Sequence, residues 1–85
     1  MDIPFTAHVF LEGGQFVAHA PALDVSSCGE TADQARHNIR DAVRGFVQVA
    51  EERGTLADIL LEGGYRFESG HWLPPAISTE MLRTG

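Results

Sequence analysis

The chain has no lysine. All six of its basic residues are arginine, set against twelve aspartates and glutamates, and the net charge is −6. An acidic surface repels phosphate backbones, so direct binding of nucleic acid is not expected; it would attract a basic protein partner, though on charge alone a merely soluble acidic domain is the stronger reading. There is one cysteine, Cys28, so no internal disulfide can form, and a lone thiol suits the reducing cytoplasm better than secretion. No charged start leads into an apolar core, and no apolar run reaches membrane-spanning length. Neither a signal peptide nor a membrane association is expected. Eighty-five residues leave no room for a second core, so one domain over 1–85 is expected. A domain this small is marginal alone, and with disulfides excluded, assembly into a homodimer or higher oligomer is the expected support.

Chemistry-bearing motifs are also sparse. No C-x-x-C or H-x-x-x-H occurs, and neither Gly13-Gly14 nor Gly63-Gly64 is followed by the Lys-Ser/Thr of a phosphate loop. The strand-like stretches carry almost no carboxylates on their faces: Glu12 falls at a turn, and Asp24 and Glu30 fall in loops. That argues against a nuclease or glycosidase, which need paired carboxylates for acid–base work or for holding magnesium.

What is present is organised around one run, Gly29-Glu30-Thr31-Ala32-Asp33-Gln34-Ala35, and the helix that it opens to about Arg53. Thr31 fits an N-cap, with Gln34 three residues on to reach back. The apolar positions Ala35, Ile39, Ala42, Val43, Phe46 and Ala50 line one face of a 3.6-residue helix, which must be buried. Gly54 fits the residue just past the helix end.

Before the helix, Phe5–Glu12 and Gln15–Ala20 read as strands joined at Gly13-Gly14, a hairpin signal. A two-residue turn there pairs Glu12 with Gln15, Leu11 with Phe16, Phe10 with Val17, Val9 with Ala18 and His8 with His19. Leu11, Phe16, Val9 and Ala18 then share the face that takes the helix. Pro21 interrupts the second strand, and Val25–Cys28 reads as a third. After the helix, Thr55–Glu62 has a second helical start. Tyr65-Arg66-Phe67 and His71-Trp72-Leu73 are short β-like pieces around Ser69-Gly70, and Ile77–Leu82 reads as a last strand. The fold class expected is α+β: a two-layer arrangement of an antiparallel sheet of three or more strands on one long helix, with a short helix and β-like tail.

The opposite sheet face would carry His8, Phe10, Val17 and His19. It is too apolar to stay wet beside a small core, so these four are the expected oligomer interface. His8 and His19, as a cross-strand pair about 5 Å apart, are the best metal candidates. Spacing fixes no further ligand near them, so no metal or cofactor is expected. Cys28 lacks a positioned base and reads as a small half-buried thiol rather than a nucleophile. Arg36, Arg40 and Arg44 form a stripe at i, i+4, i+8, with Asp33 and Asp41 each three residues before an arginine. The stripe reads as a solvated, salt-bridged face.

One set of residues resembles a known family. Gly13-Gly14-x-Phe16-Val17-Ala18-His19-x-Pro21-x-Leu23, followed by Gly29-Glu30-Thr31 leading to Ala35, Asn38 and Ala42, is similar to the HicB-like antitoxin pattern over about residues 5 to 53. The tail is similar to compact members without a separate DNA-binding domain. The resemblance implies a partial ribonuclease-H-like β-β-β-α-β fold without that enzyme's acidic cluster. It implies a non-enzymatic role in a type II toxin–antitoxin system: binding a small, basic, mRNA-cleaving HicA-like toxin and occluding it. Asp24-Val25-Ser26 stands where many members have Pro-Gly-Cys after Pro-x-Leu, one residue shorter before Gly29; Gln34 replaces the family's Glu, and Cys28 does not match its Cys. Toxin contact is expected on the acidic loop and rim residues Asp24, Glu30 and Asp33. The alternatives are an orphan oligomeric binding or scaffold module, and a metal-dependent RNA-processing enzyme using His8, His19 and Cys28.

Overall fold

The computed structural model describes residues 2–78 and 80–84. Three strands, β1 (His8–Glu12), β2 (Gln15–Ala20) and β3 (Val25–Gly29), form an antiparallel sheet in the order β1-β2-β3. One long helix, α1 (Ala32–Arg53), packs on it, followed by the short helix α2 (Leu56–Glu62). A separate two-stranded sheet, β4 (Arg66–Glu68) and β5 (His71–Leu73), completes an α+β architecture.

The hairpin has the expected register, from His8 opposite His19 to Glu12 opposite Gln15. Gly13 and Gly14 take φ of 59° and 81°, the paired positive values of a two-residue turn whose twist matches the strands. The first strand is three residues shorter than Phe5–Glu12 suggests. Continued backwards, the same register sets Ala7 opposite Ala20 and Thr6 opposite Pro21, where β2 ends and no N–H is offered. The segment before β1 is held otherwise: the Tyr65 hydroxyl donates to the Pro4 carbonyl at 2.7 Å. β3 joins β2 with Ala18 opposite Ser27 and Phe16 opposite Gly29.

α1 starts as its composition dictates. The Gln34 N–H donates to Thr31 Oγ1 at 3.0 Å. The Gln34 side chain reaches back one residue further than the usual box, accepting from the Glu30 N–H at 2.9 Å. At the other end Gly54, φ 70°, donates to Glu51 O while the Thr55 N–H donates to Ala50 O, the paired bonds of a Schellman stop. The same device ends α2: Gly64 N–H to Leu61 O and Tyr65 N–H to Leu60 O, with Gly64 at φ 91°. Tyr65 is thereby turned into the core, where it is 2% exposed, and burial pushes its phenol above its ordinary value.

The buried face of α1 is Ala35, Ile39, Val43, Val47 and Ala50. Val47, absent from the expected stripe, sits one turn after Val43; Ala42 and Phe46 are only half-buried. These residues meet Ala18, Ala20 and Leu23 from the sheet side and Leu56, Leu60 and Tyr65 from the tail, with Leu60 fully enclosed. Gly29 is the seam between β3 and α1: a Cβ there would lie 2.7 Å from the Gln34 Cβ and 2.8 Å from the Ala35 nitrogen. Asn38 crosses the same seam, donating from Nδ2 to the Cys28 carbonyl at 2.8 Å.

The last strand expected at Ile77–Leu82 is not present among the described residues; Thr79 within it lies outside them. Ile77, Met81 and Leu82 are exposed, so the described residues bury no apolar face that would hold the stretch to a sheet. The β-like tail forms its own hairpin instead of joining the main sheet, with Glu68 opposite His71 around Ser69-Gly70. It is closed by the tilted contact of Phe67 and Trp72, ring centres 5.0 Å apart.

Candidate functional site

Three surfaces carry the residues singled out above. The first is the acidic end of the molecule, where the hairpin turn and the start of α1 come together. Phe16 pairs with both Leu11 and Gly29, so one step further the same rows bring Glu12, Gln15 and Glu30 to one end of the sheet. Asp33 lies in the first turn of α1 beside them, where the helix dipole favours a carboxylate. Its Oδ1 accepts from Arg36 Nη1 at 2.6 Å, and the carboxylate is 95% exposed. Leu11, assigned by its register to the helix-bearing face, is 64% exposed, because α1 begins over β3 and leaves this end of β1 uncovered. Exposed Leu11 thus lies at the same end of the sheet as Glu12, Glu30 and Asp33. Asp24 does not belong to this group. It sits at the opposite end of β3, about 20 Å away along the strand, in a tight turn at φ 54°, with its carboxylate 3.7 Å from His19 Nε2. Glu12 and Leu11 were the residues missed; carrying the hairpin register across to β3 would have found them.

The second surface is the outer sheet face. The ladders set His8, His19 and Ser26 in one row and Phe10, Val17 and Cys28 in the next. Phe10 is 43% exposed, and Cys28 is exposed rather than half-buried, because it points away from the helix layer. The tail does not cover this face: Trp72 packs against the core from the helix side, near Leu56 and Ala57. Among the described residues no three His, Cys, Asp or Glu side chains gather closely enough to hold a metal ion, so His8 and His19 stand as a pair only.

The third surface is a cleft of about 530 Å³ between α1 and the stretch from Asp2 to Val9. A helix is about 10 Å across and strands are about 4.8 Å apart, so one helix shields two strands. Here α1 lies over β3 and β2. The inward residues leading into β1, Phe5, Ala7 and Val9, are left half-buried along the cleft. Arg36, Arg40 and Arg44 run down its helix side. The expected neutralisation is present at two of them, Arg36 with Asp33 and Arg44 with Asp41 at 2.9 Å. Arg40 makes no ion pair among the described residues.

No helix among the described residues is long and apolar enough to cross a membrane. Comparison with protein-family models, with curated proteins and with solved structures finds no match for this chain.

Proposed function

We propose that this protein is antitoxin-like: it binds a small basic HicA-type mRNA-cleaving toxin and occludes it by contact and charge, with no chemistry of its own. The observation that carries the reading is the acidic end, where Glu12, Glu30 and Asp33 gather at one end of the sheet and Leu11 of β1 is left exposed. An end of the molecule richer in carboxylates than in arginines, with an exposed apolar residue at its edge, suits a basic partner, steering encounter and fixing orientation. The residues shared with the HicB-like pattern support it by the structural work they do here. Gly13-Gly14 makes the turn that presents Leu11 and Glu12, Gly29 lets α1 close on β3, and Thr31 fixes the start of the helix beside Glu30 and Asp33.

The test is co-purification with a small basic HicA-type protein encoded beside this gene. A stable complex is expected, weakened about tenfold or more in a Glu30→Arg, Asp33→Arg double variant and little changed in Asp24→Arg, which lies at the other end of β3. A toxin that does not bind, or binds the double variant equally well, would refute the reading.

A second proposal concerns self-association. We infer that copies of the chain meet through His8, Phe10, Val17 and His19, because Phe10 and its neighbours form a strip that nothing among the described residues covers fully. Sedimentation at micromolar concentration should show a species heavier than 9.2 kDa that Phe10→Asp dissociates. A wild-type chain that sediments only as a monomer ends this proposal.

A further inference from the structure

We propose that His8 and His19 are one half of a binding site for a divalent transition metal of the zinc class, and that the same two histidines of a second copy, meeting the first across the outer sheet face, are the other half. The inference rests on the self-association reading and adds to it an ion that ties the copies together.

His8 and His19 are direct cross-strand partners, so their side chains leave the sheet on one side, with backbones about 5 Å apart. That side faces away from the helix, because Ala18 and Ala20, the neighbours of His19 on β2, are buried in the core against α1. Imidazole nitrogen is a favoured ligand of zinc, copper and nickel. A tetrahedral ion needs four ligands and this chain brings two; among the described residues no third His, Cys, Asp or Glu comes close enough to join them. The pair is incomplete in one copy, and twofold symmetry doubles it to four. The Asp24 carboxylate stands 3.7 Å from Nε2 of His19, which leaves Nδ1 for the ion. A carboxylate on the far nitrogen is what commonly orients a metal-bound histidine.

Charge and spacing select a second copy as the source of the missing ligands. The net charge is −6, so two copies meet at least cost where neither presents a carboxylate. The rows His8-His19-Ser26 and Phe10-Val17-Cys28 hold no acidic or arginine side chain. A twofold axis running along the strands, midway between β1 and β2, sets His8 of one copy over His19 of the other, Phe10 over Val17 and Glu12 over Gln15, so no like charges are opposed. Facing sheets pack about 10 Å apart. Imidazoles rising from each sheet, inclined toward their neighbours, bring their nitrogens within bond length, about 2 Å, of a point midway between. The two sheets of such a sandwich cross at about 30°, which turns one histidine pair off the other, from a flat square toward the tetrahedron that zinc prefers.

The test is sedimentation of the full chain at micromolar concentration and neutral pH, stripped of metal with EDTA and then titrated with zinc chloride. Zinc is expected to strengthen self-association about tenfold or more, saturating at one ion per two chains, because an ion that binds only the assembled form favours it by mass action. His8→Gln and His19→Gln should each remove the zinc effect; both side chains lie outside the buried core, and circular dichroism checks that the variants fold. His37, 3.3 Å from Asp41 on α1, is the rival zinc ligand. A zinc effect that survives in the His8→Gln, His19→Gln double variant, or that His37→Gln removes, would overturn the proposal, as would saturation at one ion per chain. A dimer that forms in EDTA and ignores zinc would overturn it while leaving the self-association reading standing; a monomer at every zinc concentration would end both.

Discussion

Replacing glycine by alanine in or next to a helix ordinarily stabilises a protein, and this chain contains two glycines for which the same change should have opposite signs. Gly45 lies in the middle of α1, exposed, and a Cβ added there meets nothing within 4 Å. Gly45→Ala should stabilise by about 1 kcal/mol, the difference in helix propensity. Gly29 also has a backbone that alanine can adopt, so its conformation alone would permit the change. Its added Cβ, however, would stand 2.7 Å from the Gln34 Cβ and 2.8 Å from the Ala35 nitrogen, against the 3.4 Å at which ordinary contact begins. The obstacle is the first turn of α1 itself. That turn is held by the Thr31 and Gln34 cap bonds and by Asn38 on the Cys28 carbonyl. It moves away only by giving up some of these bonds or by lifting Ala35, which is fully buried. Overpacking of this kind costs about 1–3 kcal/mol. For a domain of this size each kcal/mol moves the melting temperature by about 4–8 °C. Thermal unfolding followed by circular dichroism should therefore separate the two variants by at least about 8 °C, with wild type between them. If Gly29→Ala melts at or above wild type, the account of the β3–α1 seam is wrong.

Two further substitutions probe other joints. Thr31→Ala removes the acceptor for the Gln34 N–H and should cost about 1 kcal/mol in urea unfolding, with little change in the denaturant slope. Tyr65→Phe removes the hydroxyl bond to Pro4 and should cost about 1 kcal/mol at neutral pH. Tyr65 also sets a pH dependence. Its phenol titrates higher in the folded chain than in the unfolded one, so the associated stability is complete below about pH 10 and is lost as pH rises through the folded value. Wild type should weaken on this account in alkaline urea titrations, and Tyr65→Phe should not; parallel pH profiles would refute the buried placement of the phenol.

The hairpin was legible because Gly13-Gly14 determines a turn, the turn determines the register, and the register determines every side chain on two strands. The helix was legible from Thr31 to Gly54 because both ends carry cap chemistry that works locally. What could not be read was lateral position. Periodicity shows which face of α1 is buried but not which strands it covers. Leu11 therefore falls to a covered face by register and yet is exposed, while the arginine stripe is the solvated, salt-bridged face its spacing suggests and in addition lines a cleft. The tail failed for a related reason. Ile77–Leu82 has strand-like residues but pairs with no strand among the described residues, and strand propensity without pairing makes no sheet. Among the site residues, Glu30 and Asp33 come together because both sit at the helix start, while Asp24 shares only their charge.

The phenol of Tyr65 and the carbonyl of Pro4 are separated by 61 positions in the chain. A contact so distant in sequence contributes only after the intervening segments have condensed, since closing a loop of that length costs entropy that a single hydrogen bond does not repay. The leading segment should thus dock late in folding and come loose early in unfolding, opening the lower end of the cleft before the helix layer parts from the sheet. Loss of this bond is therefore expected to loosen the segment that carries Ile3 and Phe5 ahead of the rest of the core.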